Sequence, residues 1–274
     1  MDAGLIVLLF VTVSTAEEVP PTILSASEPS AVELPGPVFD CDRTLRGFVS
    51  LKASRPEVDW KGLALFADGP PVEMVPVPDE ILCRARAAFL VADLAPVSEK
   101  ESERYYRLAR DLGTETLRGR PERAKQISNY RSVAGRLKEF DEHDANALYW
   151  VAVGWGHLLG TMNIFSAAKQ AGEVVRTFEW YLKLSPVSVG AGADVFLATY
   201  YASLPRLLGQ DMKRALNYAE LAAGREDMHN CRIQVLLGVI GDRLPDSLAG
   251  RLRTRLKQPV DPDGPYGFEN TVCQ

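Results

Sequence analysis

The chain has 274 residues, 46% of them hydrophobic and 24% charged, with a formal net charge of −5. That is enough apolar material for one sizeable core or for a row of stacked helix pairs. The acidic balance argues against a nucleic-acid partner, which demands a basic surface.

The first segment, GLIVLLFVTVSTA at 4–16, is apolar but too short to span a bilayer as a helix. Ser14 and Ala16 put small residues where a signal peptidase reads them, so residues 1–16 read as a secretory signal peptide, with Asp2 where a basic residue is usual. A periplasmic location follows, and no cysteine stands after the cleavage site to carry a lipid. Ten of the eighteen prolines then fall between Pro20 and Pro78. Proline removes a donor and disfavours helix in the residue before it, so residues 17–78 are expected to be a linker followed by an irregular cap. Within it, Phe39 to Phe66 suits a short helix or a strand pair.

Residues 79–274 read as a helical domain. Asp79 follows a proline and is placed to cap a helix carrying Ile81, Leu82, Ala85, Ala88, Phe89 and Ala92 on one stripe, which ends at Pro96. Ser98 and Glu101 form a capping box that opens the next helix. Pro121 suits the first position of a third, expected to run to about Phe140. Ala145 to Leu159 is apolar almost all round and therefore central, and Gly154 and Gly156 in it mark close packing of a neighbour. Ala171 to Leu184 is amphipathic. Asp194 to Leu204 and the segment after Gln210-Asp211 form a helix pair, with Ala215 and Ala222 seven apart on one face. Helices over Met228–Ile240 and Pro245–Lys257 complete the series, the last with leucines every four positions and a solvated basic face. Small residues seven apart after a Gly-containing turn are how tetratricopeptide-type pairs stack. The expected fold is all-α: TPR-like stacked helix hairpins, an α-solenoid, with an irregular Pro-rich N-terminal extension.

Cys41, Cys83, Cys231 and Cys273 allow three disulfide connectivities, and unpaired thiols are the alternative. Pairing Cys41 with Cys83 and Cys231 with Cys273 is favoured, because each bond would tie an irregular end to the helical body. No CxxC, HExxH or grouped His/Cys pattern is present, so neither a metal nor a cofactor is expected. Gly190 to Asp194 follows a Ser-Pro loop and lacks the Lys-Ser/Thr of a phosphate cradle, so it reads as a helix entry that Asp194 caps or holds.

The run GADVFLATYYASLP…GQDMKRALNYAELA resembles the signature segment of the TatT-like family, the TPR-like periplasmic T-components of TRAP-type transporters. DANALYWVAVGWG at 144–156, RIQVLLGVIGD at 232–242 and Gly267-Phe268-Glu269-Asn270 resemble further helices and the ending of that family, from roughly Ile81 to Asn270. The chain departs from the pattern in its N-terminal third, in Tyr218 standing for an aromatic expected near position 219, and in a missing or very short last helix. The resemblance implies no enzyme. It implies an accessory protein that docks a periplasmic solute-binding protein, offers a small apolar ligand a passage, and associates as a trimer.

Aromatic residues concentrate in the middle helices, where the concave side of a solenoid forms a groove. Tyr149, Trp150, Trp155, Tyr200 and Tyr201, with Asp194, are the groove candidates. A generic periplasmic TPR scaffold is the alternative reading. A helical hydrolase built on Asp141, His143 or His157 is a further one, though no nucleophile motif accompanies them.

Overall fold

The computed structural model describes residues 39–52, 55–70, 78–185, 191–204, 210–225, 228–258 and 266–273. The expected leader and linker at 1–38, and residues 71–77 of the expected cap, lie outside these residues. Among those described the architecture is almost wholly helical.

The cap comprises α1 (Cys41–Arg46), an antiparallel pair β1 (Val49–Lys52) and β2 (Arg55–Val58) in which Val49 faces Val58, and α2 (Trp60–Asp68). It contains both a helix and a strand pair, where the sequence left the choice open. Eight helices follow as a layered array: α3 (Pro78–Leu94), α4 (Glu99–Arg118), then α7 (Ala145–Leu159), α8 (Ile164–Leu184), α9 (Gly192–Ser203), α10 (Met212–Gly224), α11 (Asn230–Ile240) and α12 (Asp246–Arg255). Consecutive members pack as antiparallel pairs, α3 on α4, α7 on α8 and α9 on α10, while α11 packs on α9.

Between α4 and α7 the expected single helix from Pro121 to Phe140 is broken. The chain forms α5 (Pro121–Ala124), α6 (Tyr130–Ala134) and a 3₁₀ turn at Leu137–Glu139. Asn129 causes the break: its side chain accepts from the amides of Arg131 and Ser132, and Ser132 returns the bond to the Asn129 amide, so a new helix starts there. The helix foreseen from Ala171 begins earlier, at Ile164, where Asn163 caps it. The Ser98–Glu101 capping box is present with both reciprocal bonds.

Two glycines set how closely α4 and α7 approach. A Cβ on Gly154 would stand 2.5 Å from the Tyr106 carbonyl oxygen, and one on Gly113 2.8 Å from that of Ala147. The two backbones touch directly. In α10, Ala215, Ala219 and Ala222 are all fully buried, which is the small-residue seam of the α9–α10 pair.

α3 is enclosed nearly all round instead of along one stripe, because the cap covers its outer face. Two arginines are buried in it. Arg84 donates to the carbonyls of Ala67, Asp68 and Pro70 at 3.3, 2.8 and 2.8 Å, and so caps the C-terminus of α2. Gly69 permits this, since it takes φ +34° and its Cβ position lies 2.6 Å from Arg84 Nε. Arg86 grips Glu269 with two bonds of 2.7 Å and Asp42 with one of 2.8 Å, joining α3 to α1 and to the short C-terminal helix α13 (Gly267–Val272). Disulfides Cys41–Cys83 and Cys231–Cys273 fasten the same two ends to α3 and α11.

Candidate functional site

A hollow with a mainly apolar surface lies among α3, α7, α9 and α11. Its volume is about 200 Å³. Its walls are Val153, Gly156 and Leu159 from α7, Val195 and Phe196 from α9, and Val235 and Val239 from α11. Val235 and Val239 are 40% and 37% exposed, unusual for valine, and the hollow accounts for it: they form its open rim. Gly156 sets its depth, since a Cβ there would come within 2.6 Å of the Phe196 ring.

The polar side chains in the lining are those of Asp93, His157, Thr199, Tyr200, Ser203 and Arg232. Asp93 enters from α3, with its carboxylate accepting the Tyr106 hydroxyl at 3.2 Å. His157 is packed between Tyr106, stacked at 4.5 Å, and the edge of Phe89 at 5.3 Å. Burial lowers its pKa, Asp93 opposing and Arg232 adding to the effect, so the ring is neutral near pH 7. Burial raises the phenol pKa of Tyr200, with Glu179 adding to it. Arg232 stands at the inner end: its Nη2 donates to the Tyr149 hydroxyl at 3.0 Å and its guanidinium lies 5.2 Å over the Phe89 ring. Beyond Arg232 a narrower space of about 20 Å³, room for about one water, leads to Tyr149, Trp150 and His229.

The groove candidates therefore divide. Tyr200 lines the hollow, and Tyr149 and Trp150 line its inner extension. Trp155 does not reach it. It is fully buried and donates from Nε1 to Gln170 at 2.9 Å, which makes it a core residue. Tyr201 turns to the other side of α9, donating to Glu179 at 3.1 Å and stacking on Tyr218 under the Arg214 guanidinium. Asp194 is fully buried and does not cap α9 through its side chain; its carboxylate pairs with Arg225 beyond α10. Ala191, in the left-handed region at φ 58°, starts that helix, and Gly192 is required beneath it because a Cβ would strike the Tyr149 hydroxyl at 2.0 Å.

Sequence reasoning passed over Arg232, Asp93 and the valine rim. The available signal was a lone arginine sharing a helix face, at i+3 and i+7, with two valines. The hydrolase candidates do not converge. Asp141 and His143 sit in an exposed turn before α7, where Asp141 is engaged by Arg120 and by the His143 amide. His157 lies fourteen residues on along the helix, about 20 Å away by helical rise.

No curated protein matches the chain. A family model described as the TRAP transporter T-component matches residues 92–237, from the end of α3 into α11 and so through most of the hollow's walls. No described helix is long and apolar enough to cross a membrane. With more than half its length matched, the chain belongs to the TRAP transporter T-component family, and a part in TRAP transport goes with that membership.

Proposed function

We propose that the chain is exported to the periplasm, docks the solute receptor of a TRAP system through the face on which the hollow opens, and gives a small, largely apolar ligand a place to pass. The observation that carries this reading is the hollow itself. It is a space whose apolar lining comprises four valines, Leu159 and Phe196, formed among α3, α7, α9 and α11, with an exposed valine rim at the mouth. A rigid helical array holds such a surface without reorganisation on binding. The chemistry is recognition alone, with no covalent step, and self-association as a trimer is part of the same family-based reading.

The test is surface plasmon resonance between the purified chain and the TRAP solute receptor of the same host. A saturable complex that Val235→Glu and Val239→Glu weaken, while the fold stays intact by circular dichroism, is the expected result. Absence of binding at any accessible concentration would refute the docking role.

A further inference from the structure

Arg232 is unlike the other enclosed arginines. Arg86 holds two carboxylates, Arg84 three carbonyls, and Arg123 both the Asp144 carboxylate at 2.6 Å and the Glu139 carbonyl. Arg232 uses one of its five N–H donors, toward the neutral Tyr149 hydroxyl, and its Nε is buried with no acceptor. Among the described residues no carboxylate lies within ion-pair distance of it. Asp93 lines the same hollow, exposed and with its carboxylate accepting from Tyr106, and it forms no ion pair with Arg232. A half-buried guanidinium with no carboxylate paired to it leaves donors unused, and an incoming anion fills them through the fork geometry that guanidinium offers a carboxylate.

The remaining lining agrees with one anionic end and an apolar body. His157 is neutral, and Thr199 donates its hydroxyl to the backbone of its own helix. The space beside Arg232 is walled by Val153, Val195, Phe196 and Val239. We infer that the ligand of this hollow is an amphipathic monocarboxylate, its carboxylate seated on Arg232 and its hydrocarbon part among these side chains. This rests on the reading that the hollow takes an apolar ligand, and it adds the charge and the residue that recognises it.

The test uses the intact mature protein with the neutral fluorophore N-phenyl-1-naphthylamine in the hollow, displaced in turn by octanoate, octanol and octylamine. Octanoate is expected to compete about tenfold or more better than octanol, as one charge-assisted, two-point contact warrants. Arg232→Met, which keeps the apolar stem, removes that advantage and leaves octanol unchanged; Arg232→Lys keeps part of it. Asp93→Asn leaves octanoate competition equal or stronger. Equal competition by octanoate and octanol in the unaltered protein overturns the inference without touching the apolar passage, and this comparison needs no variant to fold. Preference for octylamine overturns it in favour of Asp93. Failure of the fluorophore to bind at all refutes the passage and the inference together.

Discussion

Replacing Gly154 by alanine tests the backbone seam that places α7, and with it one wall of the hollow. Considered as helix propensity alone, the change gains about 1 kcal/mol. Against that, the new Cβ would lie 2.5 Å from the Tyr106 carbonyl oxygen, 2.8 Å from the Arg110 amide nitrogen and 2.9 Å from Arg110 Cβ. Two of these are main-chain atoms of α4, which no rotamer change removes, so the helices must part along a seam where Gly113 already touches Ala147. Overpacking of this kind costs about 1–3 kcal/mol, and a rigid backbone neighbour puts it at the upper end. The net expectation is a loss of about 2 kcal/mol, or a fall of about 4–8 °C in the melting temperature of a domain this size. Gly172→Ala is the control. It sits in the interior of α8, where a Cβ meets nothing within 4 Å, and should be neutral or stabilising by up to about 1 kcal/mol. Urea unfolding of both variants gives the comparison, with the slope expected to be unchanged. Equal stability of the two would refute the seam.

Three further outcomes are expected. Arg86→Met strands Glu269, which is only 4% exposed, and should cost about 3–5 kcal/mol by urea unfolding, with Arg86→Met/Glu269→Gln recovering much of the loss in a double-mutant cycle. Replacing Cys231 and Cys273 together by serine releases a loop closed over 42 residues and should cost about 4 kcal/mol, read from the same transition. His157 and His229 have pKa values lowered in the folded state, chiefly by burial. The unfolded chain therefore binds more protons as the pH falls through about 6.5, so their contribution is present above that pH and is lost progressively below it. Urea midpoints at pH 7.5 and 5.5 should show the drop, and His157→Gln should shrink it.

The helix pairs were legible because their signals are local. Ser98 and Glu101 announce a helix start, Ala215 and Ala222 share a face at seven-residue spacing, and Gly154 in an apolar run can only mean a close neighbour. What depends on distant partners was not legible. The burial of Arg84 and Arg86 follows from the cap and α13 closing over α3, and nothing near residue 84 in sequence foretells it. The break after Pro121 was missed because Asn129 and Ser132 look like ordinary helix-surface residues until they bond each other's backbone. For the candidate site, aromatic density pointed to α7 and α9, which wall the hollow, while Arg232 and the valine rim carry no aromatic signal. Neighbours such as Tyr200 and Tyr201 face opposite sides of α9, and the sequence alone does not say which side is hollow.

The most direct test of the account is native mass spectrometry of the mature protein captured gently from its own host's envelope. A defined assembly containing the TRAP solute receptor, with a small-molecule adduct on the chain, is the predicted spectrum. A chain that carries only assorted envelope proteins, with neither receptor nor adduct, would contradict the transport role and leave a generic TPR-like scaffold in its place.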